Sequence, residues 1–168
     1  MNPVHDTGEC FRSLVEAMSR PGTVQETPAP TVPADHAVLA TLVDHEVTLA
    51  TTDETIRTAL ANEGRLSEAD HTDADIVHAP DPTALTVADL STGSLKEPSD
   101  GATIVYRVTQ LLGGAEPGRD ETTLTLAGPG VPGERTLSVV GFPASEARAL
   151  AEAQSAYPRG VDAILTTD

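Results

Sequence analysis

Helix and strand patterns alternate through the first half of this chain, and strand patterns then cluster before one last helix and strand. Helical patterns are predicted over residues 6–20, 34–43, 53–64, 82–90 and 143–156. Strand patterns are predicted over residues 46–51, 75–79, 102–111, 122–127, 134–140 and 161–166. This order favours an α/β sandwich with a mixed sheet. No internal repeat or linker divides the chain, so residues 1–168 are expected to form a single domain.

The first helix carries the clearest pattern. Asp6 and Glu9 have the spacing of a capping box, and the apolar residues that follow recur at helical intervals as Phe11, Leu14, Val15 and Met18. Cys10, the single cysteine, lies just before this stripe. We expect it to be a small buried apolar residue rather than a nucleophile, and a lone cysteine allows no intramolecular disulfide.

The chain is strongly acidic, with 26 Asp and Glu against 10 Lys and Arg and a formal net charge of -16. The negative electrostatic field of such a chain excludes the basic surface that a nucleic-acid-binding protein needs, and it disfavours binding to an anionic membrane surface. No apolar run reaches the roughly 18 residues of a membrane span, and the N-terminus lacks the pattern of a signal peptide. We therefore expect a soluble cytoplasmic protein without nucleic-acid or membrane partners.

The acidity itself has two interpretations. It is either a docking surface for a cationic partner or an adaptation to a salty cytoplasm, where carboxylates keep the surface hydrated. The acids are spread along the chain rather than grouped, and Lys96 is the single lysine. This spread favours adaptation and a halophilic source.

Residues with catalytic or metal-binding chemistry form no strong constellation. The five histidines have no zinc-site spacing, and the acidic loop at residues 70–75 lacks the glycine and closing glutamate of a calcium loop. Lys96 lies between turn clusters beside Glu97, a solvated setting that disfavours a Schiff base. No metal is expected, although a regulatory metal at residues 70–75 stays open as a weaker possibility.

The Gly128-Pro129-Gly130 turn has two possible roles. Its backbone amides can cradle an anion, but it joins two predicted strands rather than a strand and a helix, which favours a plain hairpin connection. Arg12, Arg20 and Arg159 are suited either to phosphate or carboxylate binding or to local charge compensation.

Several motifs, taken together, resemble the PhnH family, the H subunit of the carbon–phosphorus lyase system. Residues 11–22 read FRSLVEAMSRPG, similar to the family's opening, and the later motifs follow in the family's order. These are LSTG at 90–93, PSDGAT at 98–103, LAGPGV at 126–131 and YPRGVDAILT at 157–166. The chain differs from the family pattern in two places. Tyr157 replaces a usual Phe, and a closing Pro-Arg-Thr segment does not follow residue 168, so we expect either a sheet that closes without it or a minimal version of the fold.

The resemblance implies a fold, a set of partners and a reaction. The fold would be a three-layer α/β/α sandwich, a reduced relative of pyridoxal-phosphate-dependent transferases without the cofactor or its lysine. The chain would form a homodimer alone and join the G, I and J subunits in the lyase core complex. With G, I and an L subunit, the family is associated with alpha-D-ribose 1-methylphosphonate 5-triphosphate synthase activity, in which an alkylphosphonate replaces the adenine of ATP. A radical iron–sulfur subunit then cleaves the carbon–phosphorus bond.

The leading hypothesis is therefore a non-catalytic subunit in organophosphonate catabolism, with no catalytic residue and no cofactor of its own. Such a subunit should expose an apolar patch amid its acids. The alternative is a subunit that itself binds a phosphorylated ligand or acts as a transferase. Its pocket would use the small and polar residues of the motifs, although turn formation explains the same residues. They are Ser91, Thr92, Gly93, Ser99, Asp100, Gly101, Gly128, Gly130, Arg159 and Asp162.

Overall fold

The computed structural model describes residues 5–27, 32–113 and 121–168. In chain order the elements are α1 (His5–Ser19), α2 (Ala34–Leu42), β1 (Leu49–Ala50), α3 (Glu54–Asn62), β2 (Ile76–Ala79), β3 (Thr103–Arg107), β4 (Gln110–Gly113), β5 (Glu121–Gly128), β6 (Val131–Val140), α4 (Ala144–Gln154) and β7 (Asp162–Thr166). The predicted α/β class is confirmed. Part of the predicted connector at 23–33, and the predicted loop at 113–120 beyond Gly113, lie outside the described residues.

The chain divides into two compact units. The first comprises residues 1–42, 108–142 and 166–168, and the second comprises residues 43–107 and 143–165. We call the first the antiparallel unit and the second the parallel unit, after the sheet that each contains.

The parallel unit is built on a sheet with the strand order β1-β2-β3-β7. Strand β2 is parallel to both β1 and β3, with Ile76 beside Leu49 on one side and beside Thr103 on the other. All four residues of β2 are buried, as are Ile104, Val105 and Tyr106 of β3. Strands of a parallel sheet that is covered on both faces are typically continuous apolar runs, and here β2 departs from that pattern only at His78.

The antiparallel unit contains α1, α2 and a three-stranded sheet with the order β4-β6-β5. The predicted strand pair is confirmed: β5 and β6 form a long antiparallel hairpin in which Leu124 lies beside Leu137. The two strands extend further toward each other than predicted, so the turn between them is Pro129-Gly130.

The expected mixed sheet is wrong, because the parallel and antiparallel strands belong to two separate sheets. The separation occurs inside the predicted strand at 102–111, which divides into β3 and β4. At the division the Val108 amide donates to Thr166 O (2.8 Å), whereas the next amide, that of Thr109, donates to Val140 O (2.9 Å). The backbone therefore changes hydrogen-bonding partner between two consecutive residues, which an apolar β-forming sequence does not reveal.

The predicted helix at 82–90 is also wrong, since only a 3₁₀ turn at Val87–Asp89 forms there. The Asp81 carboxylate accepts hydrogen bonds from the Thr83 amide (2.9 Å) and hydroxyl (2.7 Å), and the Thr86 hydroxyl accepts one from the Ala88 amide. Asp and Thr side chains that bond to nearby amides in this way compete with helix formation.

A buried carboxylate connects three elements of the parallel unit. Glu146, in the first turn of α4, is 4% exposed. Its Oε1 accepts a hydrogen bond from the Val87 amide (2.8 Å) and another from the Tyr106 hydroxyl of β3. A buried carboxylate without such donors is strongly destabilising, so these two bonds fix α4 against β3 and the 3₁₀ turn.

The Tyr106→Phe variant should lower the free energy of unfolding by about 1–3 kcal/mol, because Glu146 stays buried and loses a donor. Burial, followed by the Glu146 carboxylate, raises the pKa of Tyr106 above its usual value. The folded chain therefore keeps a proton that the unfolded chain loses above about pH 10, so stability falls as the pH rises past that point. Urea unfolding at pH 7 and pH 10.5 should show a smaller alkaline loss in the variant.

Tyr157→Phe is the matched control, since Tyr157 is 81% exposed. It should unfold like the wild type at both pH values. Equal stability of Tyr106→Phe and Tyr157→Phe would contradict the role given to the buried pair.

Candidate functional site

Three of the sequence motifs meet at one edge of the parallel sheet. The Ala102 amide donates to Ser91 O (2.8 Å), the Gly160 amide to Thr92 O (3.1 Å) and the Asp162 amide to Ala102 O (3.0 Å). Strands β3 and β7 begin at Thr103 and Asp162, so the contacts lie at the amino ends of these strands. We call residues 91–93, 98–102 and 159–162 the amino-edge junction.

The glycines of this junction permit close backbone approach. Gly93 has a φ of +71°, and a Cβ there would lie 2.7 Å from Pro98 O and 2.9 Å from the Gly101 nitrogen. A Cβ on Gly101 would overlap the carbonyl oxygen of Gly160. Ser91 contributes a turn bond, because its hydroxyl donates to Asp100 O and accepts from the Gly93 amide, each at 3.3 Å. Turn and packing roles therefore account for these positions.

The remaining predicted residues of the junction present polar groups. Ser99, Asp100 and Asp162 are exposed, whereas Arg159 is half-buried. The Arg159 Nε is fully buried and has no hydrogen-bond partner among the described residues. A buried donor without an acceptor is costly, so this atom is the one feature of the junction that points to a missing acceptor.

Gly128 and Gly130 belong to the antiparallel unit, so the predicted set of ten residues is divided between the two units. Both glycines have positive φ, at +126° and +81°. A Cβ on Gly130 would lie 3.1 Å from Ser19 O, and Arg135 of β6 donates to Pro21 O (2.7 Å). The hairpin therefore packs against the end of α1.

The opposite, carboxyl edge of the parallel sheet holds residues that the sequence analysis missed. The His78 Nδ1 is 2.9 Å from the Thr51 hydroxyl oxygen, and this oxygen accepts a hydrogen bond from the Asp53 amide (3.1 Å). Asp53 caps α3 and lies 3.5 Å from the Arg107 guanidinium at the end of β3. Ligands of open parallel sheets bind at this edge. Thr51 and His78 lie at the ends of the strands predicted at 46–51 and 75–79, and that position was the signal available in the sequence.

A cleft of about 510 Å³ lies in the same unit, lined by residues 82–86, Asp89, Pro143, Ser145 and Glu146. Its buried carboxylate already accepts the two bonds described above, and its remaining acid, Asp89, is exposed. None of these lining residues is Lys, Arg or His, so they provide no cation for a phosphorylated ligand.

The described residues place no group of three or more His, Cys, Asp or Glu side chains where it could hold a metal ion. In the acidic loop, residues 70–73 are exposed. Asp75 accepts hydrogen bonds from the Thr48 hydroxyl (2.6 Å) and amide (2.9 Å), which lower the pKa of its carboxyl group. Asp75 thus joins the starts of β1 and β2.

The predicted burial of Cys10 is confirmed: the side chain is completely buried, and burial raises the pKa of its thiol.

Lys96 is exposed at a bend of the chain. Pyridoxal phosphate forms its Schiff base with a desolvated lysine, and Lys96 is the single lysine of the sequence. The residues present therefore do not fit that cofactor.

Within the described part of the chain, no helix is long and apolar enough to cross a membrane.

A family model described as bacterial phosphonate metabolism protein (PhnH) matches residues 1–168. The chain belongs to the PhnH family. It is also 32% identical over 157 residues to a Stutzerimonas stutzeri protein named "Putative C-P lyase subunit protein HtxG", covering 94% of this chain and 76% of that protein. The resemblance inferred from the motifs is confirmed.

The PhnH motifs pair with one another in the structure. In the antiparallel unit, the end of the motif at 11–22 packs against that at 126–131. In the parallel unit, the motifs at 90–93, 98–103 and 157–166 form the amino-edge junction. Motifs that are far apart in sequence are thus neighbours in each unit, where they join backbone segments.

The Gly101→Ala variant should be destabilised by about 1–3 kcal/mol, because its Cβ would meet the Gly160 carbonyl. Gly113→Ala is the matched control, since a Cβ at Gly113 meets nothing within 4 Å. Urea unfolding followed by circular dichroism measures both. Unchanged stability of Gly101→Ala would contradict the packing role of the junction.

Proposed function

We propose that this chain is a non-catalytic subunit of a carbon–phosphorus lyase complex in organophosphonate catabolism. Other subunits would catalyse the transfer of ribose triphosphate from ATP to an alkylphosphonate, and this chain would support that reaction. The observation that carries the proposal is the match of the PhnH family model across residues 1–168, together with the relative named as a C-P lyase subunit. The proposed partners are the G, I and J subunits, with a homodimer when the chain is alone.

The use of the PhnH motifs supports a scaffolding role. Gly93 and Gly101 allow backbone segments to approach closely, and Gly130 seats a hairpin turn on the end of α1. Residues that make such contacts maintain a shape, and a subunit that acts by assembly depends on its shape.

We also propose that both units form one domain related to the three-layer sandwich of the transferases. The chain passes between the units at 42–43, 107–108, 142–143 and 165–166, and the family model spans both. Repeated crossings of this kind are unlike the single linker that usually separates domains. The all-parallel sheet, whose strands β2 and β3 are buried, supports the relationship.

Co-purification tests the proposed function. A tagged chain, expressed in phosphonate-grown cells that lack the native H subunit, should recover the G, I and J subunits. It should also restore growth on an alkylphosphonate as the phosphorus source, while growth on phosphate needs no complementation. Recovery of none of these subunits would overturn the proposal.

The buried Nε of Arg159 supports a second candidate, direct binding of a phosphorylated ligand at the amino-edge junction. This function requires heat of binding in calorimetry with ATP or an alkylphosphonate. The heat should be lost in Arg159→Gln and kept in Arg148→Gln, a substitution at an exposed arginine. Absence of heat with the wild type would exclude it, and the location at the amino rather than the carboxyl edge already disfavours it.

A further inference from the structure

Helix α1 exposes the larger part of its apolar stripe. Phe11 is 54% exposed, Val15 is 50% exposed and Met18 is 59% exposed, while Cys10 and Leu14 are buried. The three exposed residues are spaced at i, i+4 and i+7 and therefore lie on one face. We call them the α1 face.

The composition of the α1 face is unlike the rest of this acidic chain. The sequence contains two phenylalanines and two methionines against 26 acidic residues. One of those phenylalanines, Phe142, is 4% exposed, whereas the other is on this face. Phe and Met are enriched in the cores of protein interfaces, where Asp and Glu are depleted. The face therefore has the composition of an interface core.

The charges beside the face define what can cover it. Arg12 is exposed, is the i−3 neighbour of Val15, and makes no ion pair or side-chain hydrogen bond with any described residue. Glu16 is about 100° of helix rotation away from Val15 and is paired with Arg20 at 2.7 Å. Among the described residues, the face thus combines an apolar centre with the unpaired Arg12 at its border.

Ser13, whose hydroxyl donates to Glu26 O (2.9 Å), is about 160° of helix rotation away from Phe11, so residues 23–26 lie on the other side of α1 from this face. A standard interface buries about 800 Å² on each partner, so the α1 face would form only the centre of the contact.

A second copy of this chain is a poor occupant. A copy that presented the same face would bring a second Arg12 to the contact, and its Glu16 is already paired with Arg20, so the homodimer proposed above would use another surface. A different protein can instead bring a carboxylate to Arg12.

We propose that the α1 face is the surface by which this chain docks onto a different subunit of its complex. The partner presents an apolar patch to Phe11, Val15 and Met18 and a carboxylate to Arg12. The proposal rests on the proposed function, because it assigns a surface to the assembly described there.

Binding to the purified complex of the G, I and J subunits tests the surface. Val15→Asp should weaken the affinity at least about 30-fold, because it places a charge at the centre of an apolar contact. Arg12→Glu should weaken it more at 0.1 M salt than at 1 M, where the Debye length falls from about 10 Å to about 3 Å. Both residues are exposed, and circular dichroism melting should confirm that the variants remain folded.

The controls are Leu95→Asp and Arg148→Glu, which change an exposed apolar residue and an exposed arginine elsewhere. Both should bind like the wild type. Wild-type affinity of a folded Val15→Asp would overturn the docking surface and leave the proposed function intact. Failure of the wild type itself to bind the subunits would overturn both. A wild-type dimer that Val15→Asp dissociates, measured by light scattering on the chain alone, would show that a second copy covers the face and overturn the choice of partner.

Discussion

The buried carboxylate of Glu146 is the constraint on which the parallel unit most depends. A carboxylate that is only 4% exposed needs hydrogen-bond donors, and the Tyr106 hydroxyl and the Val87 amide provide them. These bonds fix the start of α4, and the end of the same helix is held by Gln154, whose side chain donates to Val161 O just before β7. The helix therefore connects the centre of the sheet with the start of its outer strand, where the PhnH motifs meet.

Most of the motifs that identify the family contain residues that let backbone segments pack closely together. In both units a glycine marks a point where the backbones of two motifs approach closely, Gly101 at the Gly160 carbonyl in one and Gly130 at the Ser19 carbonyl in the other. Such residues define a shape rather than a reaction, which agrees with the proposed role in assembly. The α1 face adds a surface on which that assembly can take place, since its apolar side chains contact water instead of a core.

Patterning predicted much of the fold because local physics decides it. Helices α1, α2, α3 and α4 and the hairpin of β5 and β6 were predicted from periodicity, capping and turn residues. The helix at 82–90 was predicted wrongly because Asp81 and Thr86 bond to nearby amides. Of the site, the motif residues of the amino-edge junction were predicted, whereas the contact between His78 and Thr51 was not, since residues 27 positions apart are joined only by strand pairing.

The sequence by itself determined the α/β class, the family and the acidic surface, because these follow from composition, local spacing and motif order. The tertiary structure decided which amides pair and which apolar faces stay exposed. The strand at 102–111 looks continuous in sequence, yet Val108 and Thr109 bond to different strands. The apolar stripe of α1 has the pattern of a helix face packed in a core. In the structure Leu14 is buried, but its neighbour Val15 is exposed. In each case the residue type permits both outcomes, and only the neighbours that the fold supplies select one.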